Sequence, residues 1–290
     1  MKKILIIAVL CLTLGIAGAA QAFWVGSVYN GDTNTMVPNV MGFDWSSSGS
    51  GLTIGVGPAG TPQPPGTNFD FLFQATLVGL TDPAGDPVIM TGLNTTYEYT
   101  LVAQIPETII AAIPLGGGLF QYVFDVIAPG SWYLYYDSGL AGGQQAVVAS
   151  GTGFEDGDLV AAGTFNYSGL EASTFLLTGL NPATGVGSFI LEGLVTPGSV
   201  NPAYLDPAIT IFDFRAEGTL NLPPLDSTTI GFFDVAGGPY ARYIYDPTGD
   251  ILFKADASSK FSTIPEPSTL VMLGVGLLGL AGAARKRTKK

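Results

Sequence analysis

Between residues 23 and 262, apolar and polar side chains alternate in short runs with a period of two. In Thr95–Ile105 (TTYEYTLVAQI), Tyr97, Tyr99, Leu101, Ala103 and Ile105 fall on one side, and Glu98, Thr100, Val102 and Gln104 on the other. Such alternation marks a strand with one buried face. Ala208–Gly218 (AITIFDFRAEG) behaves likewise, with Thr210, Phe212, Phe214 and Ala216 set against Asp213, Arg215 and Glu217. Runs rich in Val, Ile, Thr, Phe and Tyr predict further strands at Phe69–Leu80, Phe120–Ile127, Trp132–Tyr136, Ala146–Ser150, Val160–Tyr167, Ser188–Leu194, Ile230–Val235, Ala241–Tyr245 and Ile251–Ala255. One stretch, Pro106–Ile113 (PETIIAAI), predicts a short helix with proline in its first turn. Forty glycines and twenty prolines punctuate the chain. Short strands with turns every ten residues or so favour a sandwich or barrel. The expectation is an all-β body, sandwich or jelly-roll-like, over residues 23–262.

The two ends break this pattern. Residues 1–22 carry Lys2 and Lys3, an apolar run, and then Ala20-Gln21-Ala22. This is the layout of a secretory signal peptide, with cleavage after Ala22 and Phe23 as the new terminus. Cys11 lies inside the apolar run after Leu10, where a lipoprotein signal needs a small residue. At the other end, Leu270–Ala284 is an unbroken run of small and apolar residues, ~22 Å long as a helix and ~27 Å with Pro267–Thr269 added. That approaches the ~30 Å of a bilayer core, so a transmembrane helix is expected. Arg285, Lys286, Arg287, Lys289 and Lys290 follow it and would remain cytoplasmic.

Pro265-Glu266-Pro267 stands in front of this helix, a stiff extended segment at the outer boundary of the membrane. The order Pro-Glu-Pro, apolar helix, basic end over residues 263–290 resembles the PEP-CTERM sorting signal of exopolysaccharide-producing Gram-negative bacteria. The resemblance implies recognition by an exosortase after signal peptidase has acted, a transient stay in the inner membrane, and delivery to the cell surface or matrix. Three short stretches, TTYEYTLVAQ, GSWYLYYDSG (Gly130–Gly139) and NPAYLDP (Asn201–Pro207), are similar to the flocculation-associated subgroup of PEP-CTERM proteins. That subgroup implies a role in holding cells in a polysaccharide floc, and carries over no functional residue.

Composition narrows the chemistry. The chain has no histidine, and its one cysteine, Cys11, lies in the signal segment. The body therefore lacks disulfides, Ser-His-Asp or Cys-His catalysis, and Cys/His zinc sites. Between Phe23 and Pro267 four basic residues face twenty-three acidic ones, a net charge of −19. Such a surface repels nucleic acid. Hard, oxygen-ligated cations suit it better. The repeated turns DPAGD and DPTGD pair Asp82 with Asp86 and Asp246 with Asp250, and FEDGDL adds Glu155, Asp156 and Asp158. Asp, Pro and Gly at these positions fit type I turns. The paired carboxylates also make calcium the one ion to consider; no other cofactor is expected. Trp132 and Tyr133, in SWYLYYDS, are candidates for stacking on a sugar, with packing into the core as the competing role for Trp132. The function expected is that of a non-enzymatic, exported surface or matrix protein with extracellular polysaccharide as partner. The alternatives are a carbohydrate-binding module and a hydrolase working through paired carboxylates.

Overall fold

The structure is a computed structural model. It describes residues 22–56, 63–116, 119–140, 145–147, 151–165, 173–178, 186–219, 246 and 248–263. Among these the regular elements are all strands: β1 (Ala22–Phe23), β2 (Gly26–Asn30), β3 (Thr35–Val40), β4 (Gly42–Ile54), β5 (Asn68–Thr81), β6 (Pro87–Val88), β7 (Glu98–Gly116), β8 (Leu119–Val126), β9 (Gly130–Asp137), β10 (Asp158–Phe165), β11 (Ser173–Thr178), β12 (Val186–Val195), β13 (Leu205–Asp206), β14 (Ile211–Thr219) and β15 (Asp250–Thr263). The protein is all-β, as the alternation predicts. Residues 230–235 and 241–245, two further expected strands, lie outside the described residues, as do residues 1–21 and 264–290. Of the expected strand 146–150, Val147 forms an isolated bridge with Thr152, and residues 148–150 lie outside the described residues.

Trp24–Phe261 forms one compact unit. A second comprises Met1–Phe23 and Ser262–Lys290, and its described part is β1 pairing with the end of β15, Ala22 opposite Thr263 and Phe23 opposite Ser262.

The hydrogen-bonded path of the main sheet runs β7-β8-β11-β12-β14-β15-β4-β5, and β5 pairs again with β7. The path therefore closes on itself through eight strands, which leaves no open edge along it. β7 makes this possible. Its nineteen residues have β5 on one flank from Thr100 to Thr108, while the other flank is shared. β9 takes Glu98–Gln104, and β8 takes Glu107–Gly116.

The expected helix at Pro106–Ile113 is instead the middle of β7. β-Branched Thr108, Ile109 and Ile110 suit a strand, and partners on both flanks override the local signal. Pro106 sits in the gap between the β9 and β8 ladders, where its missing N–H interrupts neither. Its carbonyl accepts from the Ile127 amide at 3.0 Å, at the corner between β8 and β9.

One face of each long strand fills an aromatic core. Phe43 meets Phe261 at 4.7 Å edge-on, Phe73 meets Phe214 at 5.0 Å, and Trp45 Nε1 donates to Ser259 Oγ at 2.8 Å. Phe212, Phe214 and Ala216 are buried while Asp213 and Arg215 are exposed, the division the pattern predicts for β14. β7 departs from it. Glu98, Thr100 and Val102 are at most 2% exposed, so the start of this strand is buried on both faces. The segment after β9 covers the outer one: Thr100 Oγ1 donates to the Phe154 carbonyl at 2.7 Å, and Phe154 is fully buried.

Trp132 belongs to the core. It is 0% exposed and stacks on Phe212 with ring centroids 4.3 Å apart. No face of its ring is open to a sugar, which removes it from the stacking pair and leaves Tyr133 alone. Trp132→Ala is expected to destabilise the protein by about 3–5 kcal/mol. Urea unfolding followed by tryptophan fluorescence and circular dichroism measures this, and a loss below about 1 kcal/mol would contradict the core assignment.

Candidate functional site

The outer face of β7 and β9 gathers the most unusual chemistry. Antiparallel register sets Glu98 directly opposite Asp137. Glu98 is 0% exposed. Its Oε1 accepts the Ala146 amide at 2.7 Å, while Oε2 is buried without a hydrogen-bond partner. Asp137 shows the same division: Oδ1 accepts the Gly139 amide at 2.7 Å, and Oδ2 is buried without a partner. The FEDGDL loop brings Glu155 and Asp156 to this face. It is pinned by Gly157, where a Cβ would stand 2.2 Å from the Tyr136 carbonyl oxygen.

The electrostatics follow from this crowding. Burial pushes Glu98 up to about 7; the Ala146 amide pulls it back, and Asp137 and Asp156 push it further. Asp156 is raised too, by burial first and then by Asp137, against the pull of its own amide. Tyr135 is pushed up to about 12 by burial, Glu155 and Tyr133. The rings of Tyr133 and Tyr135 lie near-parallel, 21° apart with centroids at 6.3 Å, and both are half-buried.

A tyrosine cluster lies on the opposite face of β7 and β9. Tyr136 contacts Tyr29, Tyr97, Tyr99 and Tyr204 at 4.8–5.7 Å. Tyr99 Oη donates to the Tyr29 carbonyl at 2.7 Å, which fastens the three-stranded sheet β13-β2-β3 to the main one. Further along β7, Glu107 points into the core at 1% exposure, pushed up to about 8 by burial and then by Asp125 and Asp70. A shallow cavity of about 230 Å³ is lined by Asp44, Arg215, Asp256, Ala257 and Ser258. Burial and then Asp256 raise Asp44 there.

The repeated acidic turns are built as turns. Asp82 Oδ1 accepts the amides of Ala84 and Asp86 at 2.8 and 2.9 Å. Asp246 Oδ1 accepts the Thr248 amide and hydroxyl at 2.8 and 2.7 Å, and these two bonds, the hydroxyl's first, lower its pKa. Asp250 is 2% exposed and receives the Asp246 amide on Oδ2 at 2.9 Å. Sequence reasoning singled out these turns and passed over Glu98 and Asp137. Alternation put Glu98 on a solvent-facing side, and only the β7–β9 register brings it to Asp137. Among the described residues no group of three or more acidic side chains forms a ready-made metal cage.

Of the expected processing residues, Ala22 and Phe23 form β1. Ala20, Pro265, Glu266, Pro267, Arg285, Lys286 and Arg287 lie outside the described residues, as does the expected membrane helix Leu270–Ala284. Among the described residues no helix is long and apolar enough to cross a membrane.

Residues 263–287 match the family model of the PEP-CTERM protein-sorting motif. The chain carries a PEP-CTERM sorting signal. It opens at Thr263, the last residue of β15. A PEP-CTERM signal implies an exported surface protein, held first as a membrane-anchored precursor and processed by an exosortase. No curated protein and no solved structure matches the chain.

Glu98 and Glu107 give stability a defined pH dependence. Both pKa values lie above the ordinary 4.5, near 7 and 8. The folded chain thus keeps protons that the unfolded chain has released. Their contribution is complete below about pH 4.5, falls as pH rises to about 8, and is flat beyond. The slope is at most about 1.4 kcal/mol per pH unit for each group. Urea midpoints measured from pH 4 to 9 should drop across this window, and Glu107→Gln should make the drop smaller; an equal drop in the variant would contradict the assignment.

Proposed function

We propose that this protein is a non-catalytic component of the surface or matrix of a Gram-negative bacterium, acting with exopolysaccharide in cell aggregation, floc or biofilm formation. The sorting signal at residues 263–287 carries the reading. The body suits the destination: it is an antiparallel ring of strands with a net charge of −19 between Phe23 and Pro267.

A second observation supports the flocculation side of the reading. The three stretches that resemble that subgroup meet in space. TTYEYTLVAQ opens β7, GSWYLYYDSG spans its neighbour β9, and NPAYLDP brings Tyr204 onto Tyr136 with ring centroids 4.8 Å apart. They make up one structural unit, the tyrosine cluster with its flanking strands.

The half-buried Tyr133–Tyr135 pair favours a second reading, a carbohydrate-binding module. Near-parallel rings on an outer face give a sugar an apolar platform. In this reading Tyr133→Ala abolishes retention on the host polysaccharide, and in the first it leaves retention unchanged.

The test of the main reading is complementation of a deletion strain. Wild-type protein should restore flocs and yield a mature form beginning at Phe23 and lacking the basic tail, as read by mass spectrometry. Glu266→Ala should leave a longer form in the inner membrane and fail to restore flocs. Normal flocs from the unprocessed variant would refute the link between sorting and aggregation.

A further inference from the structure

The turns expected to attract calcium are stabilised by their own main chain, and Asp86 and Asp246 are exposed, so water can solvate the remaining carboxylate oxygens. Asp82, Asp246 and Asp250 each accept main-chain amides. Glu98 and Asp137 differ. They stand opposite each other on paired strands, and each keeps one oxygen, Oε2 and Oδ2, that is buried and makes no hydrogen bond. A buried carboxylate oxygen without a partner costs several kcal/mol unless a proton or a cation compensates it. Here two such oxygens belong to directly opposed residues of paired strands, and both Asp137 and Asp156 add charge of the same sign near Glu98.

We propose that Glu98 and Asp137 are a calcium site, with Oε2 and Oδ2 as its protein carboxylate ligands. The donors available are all oxygen, because the body has neither histidine nor a cysteine thiol, and this selects hard cations over zinc or copper. No third acidic side chain completes a cage among the described residues, so water and main-chain oxygens must fill the shell. Two carboxylates with water ligands suit calcium, whose shell is large and adaptable. Magnesium demands a small octahedron and gives up water reluctantly. So few protein charges place the affinity near the millimolar range of extracellular modules.

The ion would do structural work. Glu98 holds Ala146, and Asp137 holds Gly139, both in the segment that crosses the outer face of β7. Calcium between the two carboxylates removes their mutual repulsion and fastens that segment, Phe154 included, over Thr100. This site lies in the body and does not depend on the proposed role in aggregation.

The test uses the full chain in detergent. Terbium serves as a luminescent calcium substitute, excited through nearby tyrosines such as Tyr135. A saturable terbium signal displaced by calcium is expected, together with a rise in melting temperature that sodium at equal ionic strength does not reproduce. Magnesium should displace terbium at least about tenfold less well than calcium. Glu98→Gln and Asp137→Asn should each raise the half-saturating calcium concentration at least about tenfold, a change of ~1.4 kcal/mol. Asp82→Asn with Asp86→Asn should leave it unchanged. The carboxamide oxygen introduced by Glu98→Gln can still accept the Ala146 amide, so that variant is expected to fold, and circular dichroism checks it. Wild-type affinity in either folded carboxylate variant overturns the proposal. If neither variant folds, the wild-type titration decides: no calcium-displaceable terbium signal, or an equal melting shift from sodium, also overturns it.

Discussion

Everything in the main sheet depends on the pairing of β5 with β7. Without it the path from β7 through β15 to β5 would be an open sheet with two long unsatisfied edges. With it, the last strand of the path hydrogen-bonds to the first. The constraint falls on β7, which must supply amides and carbonyls to β5 on one side and to β9 and then β8 on the other. Nineteen residues are long for a strand. The length lets one strand serve three neighbours and tolerate a proline where the ladders change over. The strand also carries two buried glutamates, Glu98 and Glu107.

Much of this was legible in the chain. The alternation in 208–218 reads directly as β14, and Phe69–Leu80 lies within β5 at Asn68–Thr81. The failures are equally physical. β4 passes through Ser46-Ser47-Ser48-Gly49-Ser50-Gly51, a run that looks like a loop, yet Trp45 and Leu52 on either side of it are buried in the core; β5 and β15 pair with Ser50 and Gly51, and both registers shift between Trp45 and Ser50. Pro106–Ile113 has a helix-like start, and nothing local reveals that β5 and β8 claim it. The Glu98–Asp137 face was hidden for a third reason. Which polar side of a strand gets covered depends on a segment some fifty residues away, and register across strands leaves no trace in spacing.

The acidic residues fall into two kinds. Those in the DPxGD turns satisfy amides and keep the chain folding back on itself, so their charge is incidental to their role. Those on β7 and β9 are held against one another in a poorly solvated place, where charge is the dominant property. A body with a net −18 (four basic and twenty-two acidic residues over 23–262) could have spread its carboxylates evenly over solvent. It concentrates some of them instead, and with no His or Cys available that concentration is the most distinctive chemistry it has.

The sorting motif begins where β15 ends, and β15 is held by β14 and β4, with the register to β4 running from Asp250 opposite Ile54 to Lys260 opposite Gly42. A pull directed along the axis of β15 would meet this whole ladder at once. In that geometry the ladder bonds are loaded together in shear, whereas peeling a hairpin open would load them one at a time. Load in that direction would meet the mechanically stronger of the two arrangements. Trp24 reinforces it, its amide donating to Phe261 at 2.9 Å and its ring packing edge-on against the Phe261 ring at 5.7 Å. The strand that ends at the sorting motif is thus also a grip against tension along its axis.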